Sequence, residues 1–207
     1  LVNSMILVAL SVAGTILLAS LASFVFARFN FRGKGVLFVL MIATMFAPTF
    51  ISIVPLFTLM KTLHMRNSIY FTSVPQIASF LSFSIFVLTT YMRNLPDAIE
   101  EAAIVDGANL SQIFIRIVMP ISKAGVVAVL IYTMLWTWNS FTMPFILIQD
   151  INNMPLSVGI RFLSDYRMVN YGNTLAGLSF FILPPIIFYT IMRERLIHGL
   201  TAGSIKE

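Results

Sequence analysis

Residues 4–27 of this 207-residue chain read SMILVALSVAGTILLASLASFVFA, a stretch without Asp, Glu, Lys, Arg or His. A helix needs about 20 apolar residues to cross the roughly 30 Å hydrocarbon core of a bilayer. The stretch therefore predicts a membrane-spanning helix. It lacks the basic flank and the small-residue cleavage site of a signal peptide, and its apolar run is too long for one.

Four further stretches have the same character, at 35–60, 69–92, 124–148 and 172–192, and none contains a charged residue or a histidine. In lipid, only helices and closed barrels satisfy their own backbone groups, and the alternating pattern of barrel strands does not recur here. The predicted fold is all-α: a polytopic transmembrane helical bundle with five spans, forming one domain over 1–207. The spans contain no charged residue of the kind that relays protons or binds ions within a membrane.

The overall composition supports a membrane protein. Apolar residues make up 58% of the chain and charged residues 10%, and the mean hydropathy is +0.93. Soluble domains carry about 25% charged residues, so lipid must cover much of this surface. The formal net charge of +5 comes without a basic run that could follow phosphates, which argues against a nucleic-acid partner. The chain has no cysteine, which excludes disulfides and thiolate sites.

The distribution of Lys and Arg predicts the orientation of the spans, because cytoplasmic loops carry an excess of these residues. Alternating spans place nine of them on one side of the membrane and four on the other. The nine are Arg28, Arg32, Lys34, Arg93, Arg116, Lys123, Arg193, Arg195 and Lys206, and the four are Lys61, Arg66, Arg161 and Arg167. The side with nine is predicted to be cytoplasmic, including the tail 193–207. Leu1 then faces outward, and an odd number of further spans before it would return the N-terminus to the cytoplasm.

The loop 93–123, called the hairpin below, holds seven of the 21 charged residues in 31 positions. Pro96 suits the first turn of a helix, and Gly107 suits the left-handed turn that ends one. Asn109 or Ser111 can cap a second helix, and Pro120 marks the passage into the fourth span. The sequence therefore predicts a helix-turn-helix on the cytoplasmic side.

The hairpin resembles the signature of permease subunits of ATP-binding-cassette (ABC) importers. That signature reads Glu-Ala-Ala, three residues, Gly, nine residues, then Ile-x-Leu-Pro. Here Glu101-Ala102-Ala103, Gly107 and 117–120 match its spacing, and Met119 replaces the usual Leu. The resemblance implies contact with partner ATPase subunits, which would bind ATP and Mg, so that no cofactor is expected in this chain. The residues implied in this coupling are Glu101, Ala102, Ala103, Asp106, Gly107, Ile117 and Pro120.

Two other segments resemble the sugar-uptake branch of that family, of the maltose-permease type. They are the Trp-Asn-x-Phe segment around Asn139 and the Gly-Leu-Thr-Ala-Gly ending at 199–203. The resemblance implies a bacterial cell-membrane importer for a carbohydrate that an extracytoplasmic solute-binding protein delivers. It also implies a second permease subunit, expected to be a different one. The chain itself is expected to have no ATPase activity, since it contains no Walker sequence.

Three residues of the fourth span are candidates for the solute pathway: Trp136, Trp138 and Asn139. Aromatic rings can stack on a sugar, and an amide in the membrane is often functional. Hydrogen bonding between helices is the alternative role for Asn139, and it is favoured. His64 and His198 have no ligand partners at a suitable spacing, so no metal site is expected. The outer loop with Asp150, Arg161, Asp165 and Arg167 is either a contact for the binding protein or a solvated connector.

Three alternative functions stay open at this point. An ABC permease for another solute, such as an amino acid or a polyamine, would keep the mechanism and change the cargo. A secondary transporter would work without an ATPase partner. A channel or structural membrane protein would show no solute specificity.

Overall fold

The computed structural model describes residues 1–47, 49–163 and 171–201, with the side chains of all of these except 49, 163 and 193–201. The described chain is helical and contains no β-strand. Its helices are α1 (Val2–Arg28), α2 (Lys34–Ala43), α3 (Ile53–Thr62), α4 (Ile69–Arg93), α5 (Asp97–Val105), α6 (Leu110–Ile113), α7 (Met119–Ile121), α8 (Lys123–Trp138), α9 (Thr142–Leu147), α10 (Leu156–Gly159) and α11 (Tyr171–Thr201). The predicted all-α membrane fold is confirmed.

Within the described residues, three helices are long and apolar enough to cross a bilayer alone: Val2–Arg28, Ile69–Arg93 and Tyr171–Met192. Two bent helix pairs raise the number to five if each pair is one span. The predicted tail continues α11 as far as Thr201, and 202–207 lie outside the described residues, as do Asp165 and Arg167 of the outer loop.

The second predicted span, 35–60, is interrupted near its middle. Helix α2 ends at Ala43, two short 3₁₀ turns follow, and α3 begins at Ile53. Ala47 is extended, with φ −71° and ψ 123°, because the proline after it disfavours the helical region.

The fourth predicted span, 124–148, is interrupted as well. Helix α8 ends at Trp138 and α9 begins at Thr142. Pro144 is tolerated near the start of α9, where its missing N–H has no partner to lose. At its other end α8 meets the segment Leu110–Ile121 at a bend of 74°.

The chain forms two compact units, and α1, α4, α8 and α11 each contribute one part to both. Unit 1 is Leu1–Ala13, Pro48–Ser79 and Tyr132–Arg193; unit 2 is Gly14–Ala47, Phe80–Ile131 and Glu194–Glu207. The small buried cluster of unit 1 is Leu7, Ile69 and Ile148. The larger cluster of unit 2 is Ala19, Phe24, Ile85, Leu88, Met92, Ile113, Val118 and Val129. In unit 2, the hairpin residues Ile113 and Val118 are thus anchored among span residues.

Helix α11 is mostly exposed along its apolar length. Only 6% of its most apolar window is buried, and Leu175, Phe180 and Ile187 are each more than half exposed. Apolar surface of this extent is unfavourable in water, so lipid or another membrane protein must cover it.

Candidate functional site

The first arm of the hairpin is α5, and its ends are fixed by local chemistry. Pro96 precedes it in an extended conformation, and Asp97 and Glu100 lie in its first turn, near the positive end of the helix dipole. At its end, the Gly107 N–H donates to the Ile104 carbonyl at 3.0 Å, and the Ala108 N–H donates to the Ala103 carbonyl at 2.9 Å. This pair of bonds is a Schellman motif, which requires positive φ at Gly107, and φ there is +84°.

The second arm begins with a reciprocal cap. The side-chain oxygen of Asn109 accepts from the Gln112 N–H at 2.9 Å, and the Gln112 side chain accepts from the Asn109 N–H at 2.9 Å. Of the two caps that the sequence allows, the structure therefore has Asn109. A π-helical turn follows at Phe114–Val118, immediately before α7. Pro120 has no N–H to donate to the Arg116 carbonyl and its ring crowds that carbonyl, which accounts for the wider turn there.

An open pocket of about 430 Å³ lies between the two arms. It is lined by Ala103, Asp106, Gly107, Ala108, Gln112, Arg116 and Ile117. Four residues of the coupling set, Ala103, Asp106, Gly107 and Ile117, thus come together here. The other three, Glu101, Ala102 and Pro120, are exposed and do not line the pocket. Sequence reasoning did not single out Gln112 and Arg116, whose polar side chains follow one another at helical spacing.

The exposed surface of α5, formed by Glu101, Ile104 and Val105, is apolar as well as charged. Val105 is 87% exposed and Ile104 is 60% exposed, next to the exposed Glu101. Both of these large apolar side chains are thus mostly exposed. The surface is suited to docking another protein.

Arg28 connects the end of α1 to the hairpin, and sequence reasoning missed this contact. Its Nε donates to Glu100 Oε1 at 2.6 Å and its Nη1 donates to Asp97 Oδ1 at 3.1 Å. Its Nη2 donates to the Leu95 carbonyl at 3.2 Å. The Arg28 side chain is 11% exposed and that of Glu100 is 14% exposed. The pairing joins positions 72 residues apart, so no local pattern indicates it.

The three pathway candidates have three different environments. Trp138 is buried, its indole N–H donates to the Phe181 carbonyl at 3.0 Å, and its ring stacks on that of Phe181. Trp136 is 61% exposed and contacts the Tyr132 ring. The Asn139 amide is exposed, follows the last residue of α8, and donates to the Leu135 carbonyl in the last turn of that helix at 2.8 Å. Among the described residues, Asn139 therefore makes no hydrogen bond to another helix.

A different amide joins the helices near the α8–α9 break. Gln76 on α4 is only 3% exposed, and its Nε2 donates to Ser140 Oγ at 2.5 Å. Ser157 Oγ in turn donates to the Ser140 carbonyl at 2.7 Å. All three residues belong to unit 1. The signal for this contact was present in the sequence, since Gln76 is the one amide of the third predicted span and follows Pro75.

Known relatives cover almost the whole chain. The arabinooligosaccharides transport system permease protein AraQ of Bacillus subtilis is 30% identical over 204 residues, which are 99% of this chain and 72% of that protein. The diacetylchitobiose uptake system permease protein NgcG of Streptomyces coelicolor is 28% identical over 99% of this chain and 68% of that protein.

The fold has a solved counterpart in a bacterial ABC transporter involved in the import of the acidic polysaccharide alginate. A chain of that structure superposes with a TM-score of 0.80, covering 93% of this chain and 72% of that one. At 20% identity this likeness concerns the fold alone. Residues 15–201 match the family described as binding-protein-dependent transport system inner membrane component. The chain belongs to this family of multi-pass membrane permeases, which are not enzymes and which work with a separate ATPase subunit.

Proposed function

We propose that this chain is the permease subunit of an ABC importer for an oligosaccharide. Family membership supports the importer, and the names of AraQ and NgcG support the class of cargo. The Trp-Asn-x-Phe segment at 138–141 agrees with the same branch. In this proposal the chain forms part of the translocation pathway, and partner ATPase subunits hold ATP and Mg.

We propose that the ATPase subunit binds to the exposed surface of α5. A short helix with Ile104 and Val105 exposed beside Glu101 offers a small apolar contact bordered by a charge. The small side chain of Ala102 allows a partner surface to approach closely. The adjoining pocket offers Asp106 and Arg116 for polar contacts. Closure of the ATPase subunits on ATP would press on this surface and move the hairpin.

Two further partners belong to the proposal. The uncovered apolar surface of α11 supports a second membrane subunit beside lipid, and a different permease is expected to occupy that place. A solute-binding protein would deliver the sugar to the outer face. Trp136 and Asn139 are exposed and would contact a sugar in the pathway. Trp138 is buried and already bonded to the Phe181 carbonyl, so it would not contact the sugar.

Purification of the native complex, followed by uptake in proteoliposomes, tests this function. We expect ATPase subunits and a second permease to co-purify with this chain. With a binding protein present, labelled arabino- or chito-oligosaccharide should enter the vesicles only when ATP reaches the ATPase. Amino acids or polyamines serve as control solutes. Uptake without ATP would identify a secondary transporter, and preference for a control solute would overturn the carbohydrate assignment.

A further inference from the structure

The contact between α1 and α5 joins two helix ends of opposite partial charge, the C-terminal end of α1 and the N-terminal end of α5. Arg28 is in the last turn of α1, where a cation is favoured by the helix dipole. Asp97 and Glu100 are in the first turn of α5, where anions are favoured for the same reason. Each charge therefore stabilises its own helix and also the junction between the two helices.

The three contacts of Arg28 use all three nitrogens of the guanidinium group. Two carboxylates and one backbone carbonyl are held at once, which fixes the direction of the group as well as its position. Lysine has a single nitrogen on a flexible stem and does not reproduce this geometry. The Glu100 contact contributes most, because Asp97 is 80% exposed and its ion pair is weakened by solvent.

Helix α5 has two faces with different partners. Asp97, Glu100 and Ala103 follow helical spacing on the face towards Arg28 and the buried cluster of unit 2. Glu101, Ile104 and Val105 are exposed. A force applied to the exposed residues of α5 can therefore reach Arg28 through Glu100, beside the contact of Ala103 with the buried cluster.

We propose that Arg28 is a positioning residue that transmits movement of the hairpin to α1, so that α5 and the end of α1 move as one body. The inference rests on the proposed function, because it assigns Arg28 to the coupling between the ATPase contact and the spans. An arginine held only for stability would affect folding without changing how much transport accompanies each ATP hydrolysed.

The substitution Arg28→Gln tests this role in the purified complex. We expect the ATPase to stay bound and to hydrolyse ATP, while transport per ATP falls by about tenfold, the range in which coupling networks respond to single changes. Arg28→Lys should recover only part of the loss. Arg32→Gln is the matched control, since Arg32 is exposed and makes no ion pair among the described residues. Transport per ATP at the wild-type level in Arg28→Gln overturns the inference.

Two rescue experiments decide the matter even if Arg28→Gln fails to assemble. The exchange Arg28→Glu with Glu100→Arg should regain more transport per ATP than either single change. Because the chain has no cysteine, Arg28→Cys with Glu100→Cys can also be joined by a short dithiol-reactive crosslinker, verified by peptide mass spectrometry. We expect the crosslinker to restore transport in this variant. If neither rescue raises transport per ATP, the proposal that Arg28 couples the movement of α5 to that of α1 is wrong.

The wild-type complex separates failure of this inference from failure of the proposed function. Absence of ATP-dependent uptake in the wild type contradicts the function itself. Normal uptake in the wild type together with normal coupling in Arg28→Gln contradicts only the role of Arg28.

Discussion

At the scale of single residues, Gly107 shows how a backbone angle can be tested apart from packing. A Cβ built at this position meets no atom within 4 Å, so a larger side chain has space. The φ of +84° is the obstacle, because it costs any residue with a Cβ roughly 1–2 kcal/mol. Strain is therefore the expected effect of substitution.

We predict that Gly107→Val inserts into the membrane and folds but binds the ATPase more weakly and transports less. The β-branched side chain tolerates a positive φ poorly, so the turn opens and the two arms of the hairpin separate. Co-purification of the ATPase and uptake in proteoliposomes measure the two effects.

Gly33→Val is the matched control for this prediction. Gly33 has φ +85° and equally open space, but it lies in the loop before α2. Its substitution should impose similar strain and leave ATPase binding intact. Equal loss of the ATPase in both variants, or no loss in Gly107→Val, would remove the hairpin from the coupling role.

Local chemistry at the residue scale was predictable from the sequence, and distant pairing was not. The turn at Gly107 and a cap at Asn109 depend only on neighbours within a few positions, and both are present. Arg28 and Glu100 are far apart in the chain, so their contact depends on how α1 and the hairpin meet. For Asn139, the structure has a hydrogen bond to the Leu135 carbonyl and, within the part of the chain that it describes, none to another helix.

At the scale of secondary-structure elements, hydropathy located the apolar stretches but not the breaks inside them. Hydropathy measures the free energy of transfer from water to lipid. It does not indicate whether a helix is continuous or broken. A proline permits a break in a membrane helix but does not require one. Pro75 lies within the continuous helix α4, whereas Ala47 and Phe141 lie where helices are interrupted. Neighbouring packing decides between these outcomes.

We predict that Gln76→Leu destabilises the packing of α4 against the segment between α8 and α9. The substitution removes the hydrogen bond from α4 to Ser140, and such bonds contribute about 1 kcal/mol in membrane proteins. A lower thermal unfolding temperature of the purified complex measures the loss. Asn139→Leu is the control substitution, because the Asn139 side chain bonds to the last turn of α8, directly before it in the chain. An equal drop in the two variants would contradict a bracing role for Gln76.

At the scale of the whole molecule, the distribution of basic residues predicts which parts face the cytoplasm. Single cysteines test it without background labelling from this chain, which has none. We predict that Ile151→Cys, an exposed position after the fourth predicted span, reacts with an impermeant maleimide in intact cells. Asn109→Cys should react only after the membrane is permeabilised. Labelling of Asn109→Cys from outside would invert the proposed topology.

The exposed Ile104 and Val105 also have a consequence for the supply of this subunit in the cell. A copy made without its ATPase presents both side chains to water, where they invite aggregation and recognition by proteases. Subunits produced in excess should therefore be short-lived, and co-expression of the ATPase should lengthen their lifetime. The surface proposed to bind the ATPase would then also keep the number of permease subunits matched to the number of ATPase subunits.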